Sequence, residues 1–279
     1  MATGPYLAQN KIMQIGPMGK VQEITQWGHF ILPWGPHETD GIPLGMYAYD
    51  QLGYRKIVTI GSDYAAGRLF VGGAVDAFKK KGGTVEQQQW PPAGTGDFGP
   101  YLTALKPADA IITWLGGAEL TRFLKQHKDF GIKLPVLQVT GDQLRSTQMK
   151  ELGNVIVGAV SEVDYTSRLD NAANKKYVAA FAAKFGKDRN PERDTYCSYL
   201  AMDLILEGLK ATNGDASFDK LRPAILNLKL DTAQGPLYFD KSGSGIINRY
   251  IAKAAVIDGT YVWDPIFTYK DIKHPAYDK

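Results

Sequence analysis

Between residues 56 and 160 the chain repeats one pattern: a short apolar run, a glycine-containing turn, then an amphipathic stretch. Lys56–Ile60 (KIVTI) leads into Gly61-Ser62-Asp63 and a helix from about Ala65 to Lys81, which Gly82-Gly83 stop. Val85–Trp90 follows as a strand. After the loop Pro91–Gly96, Asp97 can cap a helix reaching about Lys106. Asp109–Leu115 (DAIITWL) is the next strand, then Gly116-Gly117 and a helix over Ala118–Phe130. Leu134–Val139 (LPVLQV) precedes Thr140-Gly141-Asp142 and a short helix over Ser146–Leu152, and Val155–Val160 (VIVGAV) reads as the last strand of the series. Strands this apolar throughout belong inside a sheet covered on both faces. Strand and helix alternating at this spacing require right-handed crossovers and a parallel sheet, so the fold class is α/β.

The flanks differ in texture. Lys11–Ile15 is a short apolar run, and Thr39–Leu52 reads as a helix with Pro43 in its first turn. Beyond Asp164 come helices over Asn171–Phe185, about Pro191–Thr212 and Phe218–Leu226. In the second of these Cys197, Ala201, Ile205 and Leu209 recur every four residues beside Leu200, Leu204 and Gly208, a broad apolar face that belongs in a core. Gly235–Phe239, the turn Asp240–Gly243 and Asn248–Ile257 read as strand, turn and strand. Asp258-Gly259 is a type I′ hairpin signal before Tyr261–Trp263.

Composition closes several classes. At 44% hydrophobic residues the chain can build a core, so disorder is excluded, and 279 residues suit two lobes. A net charge of +3, with no basic run longer than Lys79–Lys81, argues against a nucleic-acid partner. One cysteine, Cys197, excludes an internal disulfide framework and a cysteine-based zinc site, and it reads as a core residue. His29, His37, His127 and His274 lie far apart with no partner at i+4. No apolar run approaches the roughly 18 residues of a membrane span, and the first residues lack the pattern of a signal peptide.

In open parallel sheets ligands sit beyond the carboxyl ends of the strands, at helix N-termini. Four turns qualify: Gly16–Lys20, Gly61–Tyr64, Gly116–Glu119 and Gly141–Gln143. Each carries two readings. Tyr64 either packs or meets a ligand. Asp142 either caps the following helix or supplies a counter-charge for an ammonium group. Gly116-Gly117 either eases a tight turn or lets the backbone approach a carboxylate. Lys20 is either a solvated charge or the partner of an anion, and Trp27, His29, Phe30 and Trp34 either pack together or line a slot. Catalytic signatures are absent: there is no G-x-S-x-G, no phosphate loop and no H-E-x-x-H. Gly94–Gly99 has the spacing of a dinucleotide fingerprint but stands in a proline-rich loop after an outer strand.

The run LGYRKIVTIGSDYAAGRLFVGGAVDAFKKKGGTV resembles the start of the second lobe of type I periplasmic solute-binding proteins of ABC transporters, in the branch of the leucine/isoleucine/valine-binding protein. DFGPYLTALKPADAIITWLGGAELTRFLKQHKDFGIKLPVLQVTGD and GPLYFDKSGSG continue the likeness in the same order. The resemblance implies two Rossmann-like lobes that close on a ligand in the cleft between them. It places the first lobe at 1–35 and 167–247 and the second at 36–166 and 248–279. It also implies that the first lobe is incomplete, lacking about three βα units of ~30 residues each and a signal peptide. A chain so shortened is expected to be poorly soluble, or to fold alone over about Pro36–Thr166.

By the same resemblance Tyr64 matches a tyrosine that stacks on or bonds the ligand, and Asp142 the acidic residue that holds an ammonium group. Ala118 falls where another tyrosine often sits, beside Gly117 of the glycine turn, which is also read as ligand-binding. Met18 and Lys20 fall where the first-lobe turn usually offers a small residue and a threonine to the ligand, and Tyr196 near an aromatic wall. The small Ala118 implies room for a larger, aromatic side chain, and Lys20 a partner for a carboxylate. The implied function is non-catalytic binding of an amino acid or similar small carboxylate for an ABC permease, in the periplasm or outside the cell, with no cofactor, no metal and no nucleic acid. The alternatives are a cytosolic ligand-sensing regulator on the same fold, and an α/β enzyme.

Overall fold

The structure, a computed structural model, describes residues 3–16, 26, 28–186 and 189–273. In chain order its elements begin with α1 (Gly4–Gln9), β1 (Gln14–Ile15), β2 (Phe30–Ile31) and α2 (Glu38–Asp50). The alternating region follows as β3 (Lys56–Gly61), α3 (Ala65–Lys80), β4 (Thr84–Gln89), α4 (Gly99–Thr103), β5 (Ala110–Trp114), α5 (Gly117–Asp129), β6 (Val136–Gln138), α6 (Ser146–Leu152) and β7 (Val160–Val163). Then come α7 (Ala172–Phe185), α8 (Arg193–Ala211), α9 (Phe218–Leu226), β8 (Leu230–Thr232), β9 (Gly235–Phe239), β10 (Gly245–Ile257) and β11 (Thr260–Ile272). The chain divides into two compact units. One comprises Met1–Pro36, Leu169–Asn248 and Tyr269–Lys279; the other His37–Arg168 and Arg249–Thr268.

The second unit is built on the repeat. Its strands lie in the order β4-β3-β5-β6-β7, each pair parallel, and β10 joins β7 antiparallel with Tyr250 opposite Val163. β3 and β5 are buried almost throughout, which their unbroken apolar runs require. Helices α2 and α3 pack so closely that glycine is obligatory at the contact: a methyl group at Gly41 or Gly45 would overlap the backbone of α3, and one at Gly73 the backbone of α2. Pro43 sits in the second turn of α2 rather than the first, because the helix begins at Glu38. Asp258 and Gly259 both adopt positive φ, at 50° and 74°, joining β10 to β11 as a hairpin.

In the first unit β8, β9 and the start of β10 form an antiparallel ribbon, and β1 pairs parallel with β2. Helix α8 buries Tyr196, Cys197, Leu200, Leu204 and Gly208, so its core face lies to one side of the Ala201-Ile205-Leu209 row, which is only half-buried. Gly208 lets Ile225 and Leu221 of α9 come close. His29, Phe30 and Trp34 are buried; Trp27 lies outside the described residues.

Three expectations need correction. Val155–Val160 is not a strand: Gly153 and Gly158 take positive φ, the segment turns, and the strand is the following Val160–Val163. The helix expected from Asp97 to Lys106 is a single turn, Gly99–Thr103, although Asp97 does accept the Gly99 N–H at 2.8 Å. The chain from Tyr269 groups with the first unit, not with the second as read from sequence; there the Asp271 N–H donates to Asn248 and Tyr238 Oη to Asp271.

Candidate functional site

Three parallel strands of the second unit end together, and their turns converge at the carboxyl edge of the sheet. β3 ends opposite β5, with Gly61 beside Trp114, and β5 pairs β6 up to Thr113 and Gln138. Trp114 anchors the edge. Its ring stacks on Phe70 of α3 at 4.6 Å and 14°, and its indole N–H donates to Thr140 Oγ1 at 2.8 Å. Tyr64, at the start of α3, sets its ring edge-on to Trp114 at 5.6 Å. Phe70 and Trp114 are buried while Tyr64 is 44% exposed, so the stack presents one phenol to solvent. Burial of its inner face, and then the Glu119 carboxylate, push that phenol above its ordinary pKa.

The turn after β5 opens α5 with Gly116, Gly117 and Ala118. Ala118 is exposed and the two glycines are half-buried. The 13 residues of α5 leave its first N–H groups without helical partners, so this turn suits an electron-rich ligand group. Gln143 bridges to it from the neighbouring turn, its amide donating to the Leu115 carbonyl at 2.8 Å.

The turn after β6 is held by unusual backbone. Thr140 adopts the left-handed conformation at φ 50°, costly for a β-branched residue by about 1–3 kcal/mol. Its contacts offset that cost: Oγ1 accepts from Trp114 and its N–H donates to Glu162 Oε2 at 3.1 Å. Gly141 donates to Ser161 Oγ at 2.7 Å. Asp142 is then buried, with Oδ2 accepting the N–H groups of Asp164 at 2.8 Å and Tyr165 at 3.1 Å. It does not cap α6, which begins at Ser146, but fastens the turn after β6 to the turn after β7.

Behind this turn lies a fully buried charge cluster. Arg249 contacts Asp40, Asp164 and Glu162 and donates to Thr39 Oγ1 at 3.0 Å. Burial alone would lower the guanidinium's pKa; the carboxylates of Asp40, Asp164 and Glu162 outweigh it and raise the value. For Glu162 burial dominates over the attraction of Arg249, and the surrounding carboxylates add to it, so its pKa stands well above the ordinary value.

Tyr64, Gly117, Ala118 and Asp142 therefore share one edge. Tyr196 does not present itself in the same way: it is fully buried in the first unit, its ring against Trp34 at 5.6 Å and its hydroxyl accepting the Gln234 N–H at 3.2 Å. Burial pushes that phenol far above its usual range. Met18 and Lys20 lie outside the described residues.

A family model described as periplasmic binding protein matches residues 1–259. The chain belongs to this family. Among curated relatives, Leu/Ile/Val-binding protein homolog 6 of Brucella melitensis is 26% identical over 241 residues, covering 84% of this chain; the chain spans 62% of that relative's length. An ABC transporter substrate-binding protein from Sphaerobacter thermophilus is 25% identical with a TM-score of 0.91, over 98% of this chain and 77% of that one. A solute-binding protein of an ABC transporter from Rhodopseudomonas palustris BisB5, solved with 3,4-dihydroxybenzoic acid, is 25% identical with a TM-score of 0.88, over 99% and 77%.

In this periplasmic binding protein, sequence reasoning passed over Glu119, Glu162, Asp164 and Arg249, which brace the edge from behind. Charged residues inside an apolar strand–helix series were the available signal, and β7 (VSEV) carries one at its centre. Among the described residues no group of three His, Cys, Asp or Glu side chains is placed to hold a metal ion. No helix there is long and apolar enough to cross a membrane.

Proposed function

We propose that this chain is the non-catalytic solute-binding component of an ABC importer. In this reading it works in the periplasm or outside the cell and delivers an amino acid or similar small carboxylate to a membrane permease. The carrying observation is the exposed Tyr64 phenol on a buried Trp114–Phe70 stack, beside the glycine-rich start of α5. A flat ring and a cluster of helix-terminal N–H groups suit a solute with an apolar body and a carboxylate. Family membership supports the same reading, as does the 3,4-dihydroxybenzoic acid bound by the Rhodopseudomonas palustris solute-binding protein. The small, exposed Ala118 leaves room for an aromatic solute. Asp142 serves as the acidic side of the site, oriented by the amides of Asp164 and Tyr165.

Titration calorimetry with L-leucine, 3,4-dihydroxybenzoate and 4-hydroxybenzoate tests the proposal. One member is expected to bind, and Tyr64→Ala to weaken it by about tenfold or more through loss of ring contact. Absence of heat and of thermal stabilisation with every member, or undiminished binding by Tyr64→Ala, overturns it.

A further inference from the structure

Glu119 is the third residue of α5 and is nine-tenths buried. Its Oε2 accepts Ser62 Oγ–H at 2.6 Å and the Gly116 N–H at 3.2 Å, while Oε1 accepts the Gly94 N–H. Only the Gly116 bond belongs to ordinary helix capping; the other two reach separate loops. We propose that Glu119 is a positioning residue of the ligand site, one carboxylate that sets the Tyr64 phenol by tying together the turns after β3 and β5 and the Pro91–Gly96 loop. This rests on the reading of the Tyr64 edge given above.

The geometry connects the carboxylate to both rings through short stretches of backbone. Ser62 lies two residues before Tyr64, and the Tyr64 N–H donates to the Ser62 carbonyl at 2.9 Å. Gly116 lies two residues after Trp114, and the Ser62 N–H donates to the Trp114 carbonyl at 3.1 Å. Tyr64 sets its ring edge-on to Trp114 and is 44% exposed, so the placement of its backbone bears directly on where the phenol points. The loop is gripped along one face of α5. Glu119, Arg122 and Gln126, spaced three and four apart, reach Gly94, the Thr95 carbonyl and the Gly96 carbonyl in turn, and Gln126 also accepts the Phe98 N–H at 2.6 Å. Within this run Gly94 takes a positive φ of 89°, which suits glycine where its N–H turns toward Glu119. The raised pKa of the Tyr64 phenol, to which Glu119 contributes, agrees with this closeness.

A carboxamide cannot replace this carboxylate without loss. In Glu119→Gln, with the side-chain oxygen toward Ser62 and Gly116, the new amide nitrogen would face the Gly94 N–H, donor against donor; the reverse orientation sets it against Gly116. The test compares wild type, Glu119→Gln and Glu119→Ala in the full chain by two measurements. The first is affinity for 3,4-dihydroxybenzoate and L-leucine, taken well below each variant's unfolding temperature. The second is the phenolate absorbance titration of Tyr64, isolated by difference against Tyr64→Phe in each background.

Glu119→Gln is expected to weaken binding by about tenfold and Glu119→Ala by more, with the Tyr64 titration moving down toward the ordinary tyrosine value in both. A variant that loses thermal stability but keeps wild-type affinity overturns the proposal and leaves Glu119 a stability residue, because loss of the charge alone lowers the Tyr64 titration. If wild type binds neither probe, the functional reading fails. The near-ultraviolet circular dichroism of the Tyr64–Trp114 ring pair, taken by difference against Tyr64→Phe, then decides: a changed band in Glu119→Gln supports positioning by Glu119, and an unchanged one refutes it.

Discussion

At position 141 the turn after β6 runs so close to β7 that a methyl group would overlap Ser161 Oγ and crowd the Trp263 ring. Only glycine fits, and the fit fixes the next residue: Asp142 is left with its carboxylate against the amides of Asp164 and Tyr165. Gly141→Ala is expected to lower stability by about 1–3 kcal/mol, because both neighbours belong to buried strands that cannot give way. Urea unfolding measures this, and a loss below about 0.5 kcal/mol would show that the turn relaxes freely. The position of Asp142, after an apolar run and a glycine, was legible in the sequence. Its partners were not, since they lie 22 and 23 residues further along in the turn after another strand. The same limit applied to Tyr64. Its place before a helix was readable, but its exposure depends on Trp114 and Phe70 covering one side of the ring and not the other.

The strand β7 shows why element boundaries failed where they did. VIVGAV has the composition of a buried strand, yet Gly158 at φ 87° breaks it, and Ile156 is buried from a turn instead. The true strand, VSEV, places Ser161 and Glu162 in the core, which hydrophobic patterning counts against. What makes it tolerable is Arg249, 87 residues away on β10, together with the Thr140 N–H. Burial holds Glu162 protonated above the pH at which it ionises in the unfolded chain, near 4.5. Above that value the folded state retains a proton that the unfolded state has lost. Stability from this residue therefore falls as pH rises from about 4.5 toward the folded pKa, and is level below it. Glu162→Gln is expected to flatten that part of the pH–stability curve, measured by urea unfolding, at little cost in stability near neutral pH. A slope identical to wild type would show Glu162 ionised in the fold. Arg249→Met, in contrast, strands buried carboxylates and is expected to cost about 3–5 kcal/mol.

At the scale of the whole molecule, the second unit is not a contiguous stretch of chain. The alternation of strand and helix made its parallel part readable in sequence, and a piece running over about Pro36–Thr166 looks self-sufficient on that pattern. The structure adds 20 residues from far downstream, Arg249–Thr268. They cover the β7 edge by pairing Tyr250–Lys253 with Val160–Val163 and place Arg249 among Asp40, Glu162 and Asp164. They also supply the Trp263 carbonyl to Thr166 Oγ1 at 2.7 Å. Without them a sheet edge is bare and the buried acidic groups Asp40, Glu162 and Asp164 lose their cation, so the fragment His37–Arg168 is expected to aggregate or to unfold without cooperativity. Because β10 runs antiparallel to β7, Val163 faces Tyr250, and the cut ends at Arg168 and Arg249 can be rejoined by a short flexible linker. The linked piece, His37–Arg168 followed by Arg249–Thr268, is expected to be monodisperse and to unfold in one cooperative transition. If His37–Arg168 alone unfolds as cooperatively as the linked piece, the parallel repeat is sufficient in itself and Arg249 is dispensable to its stability.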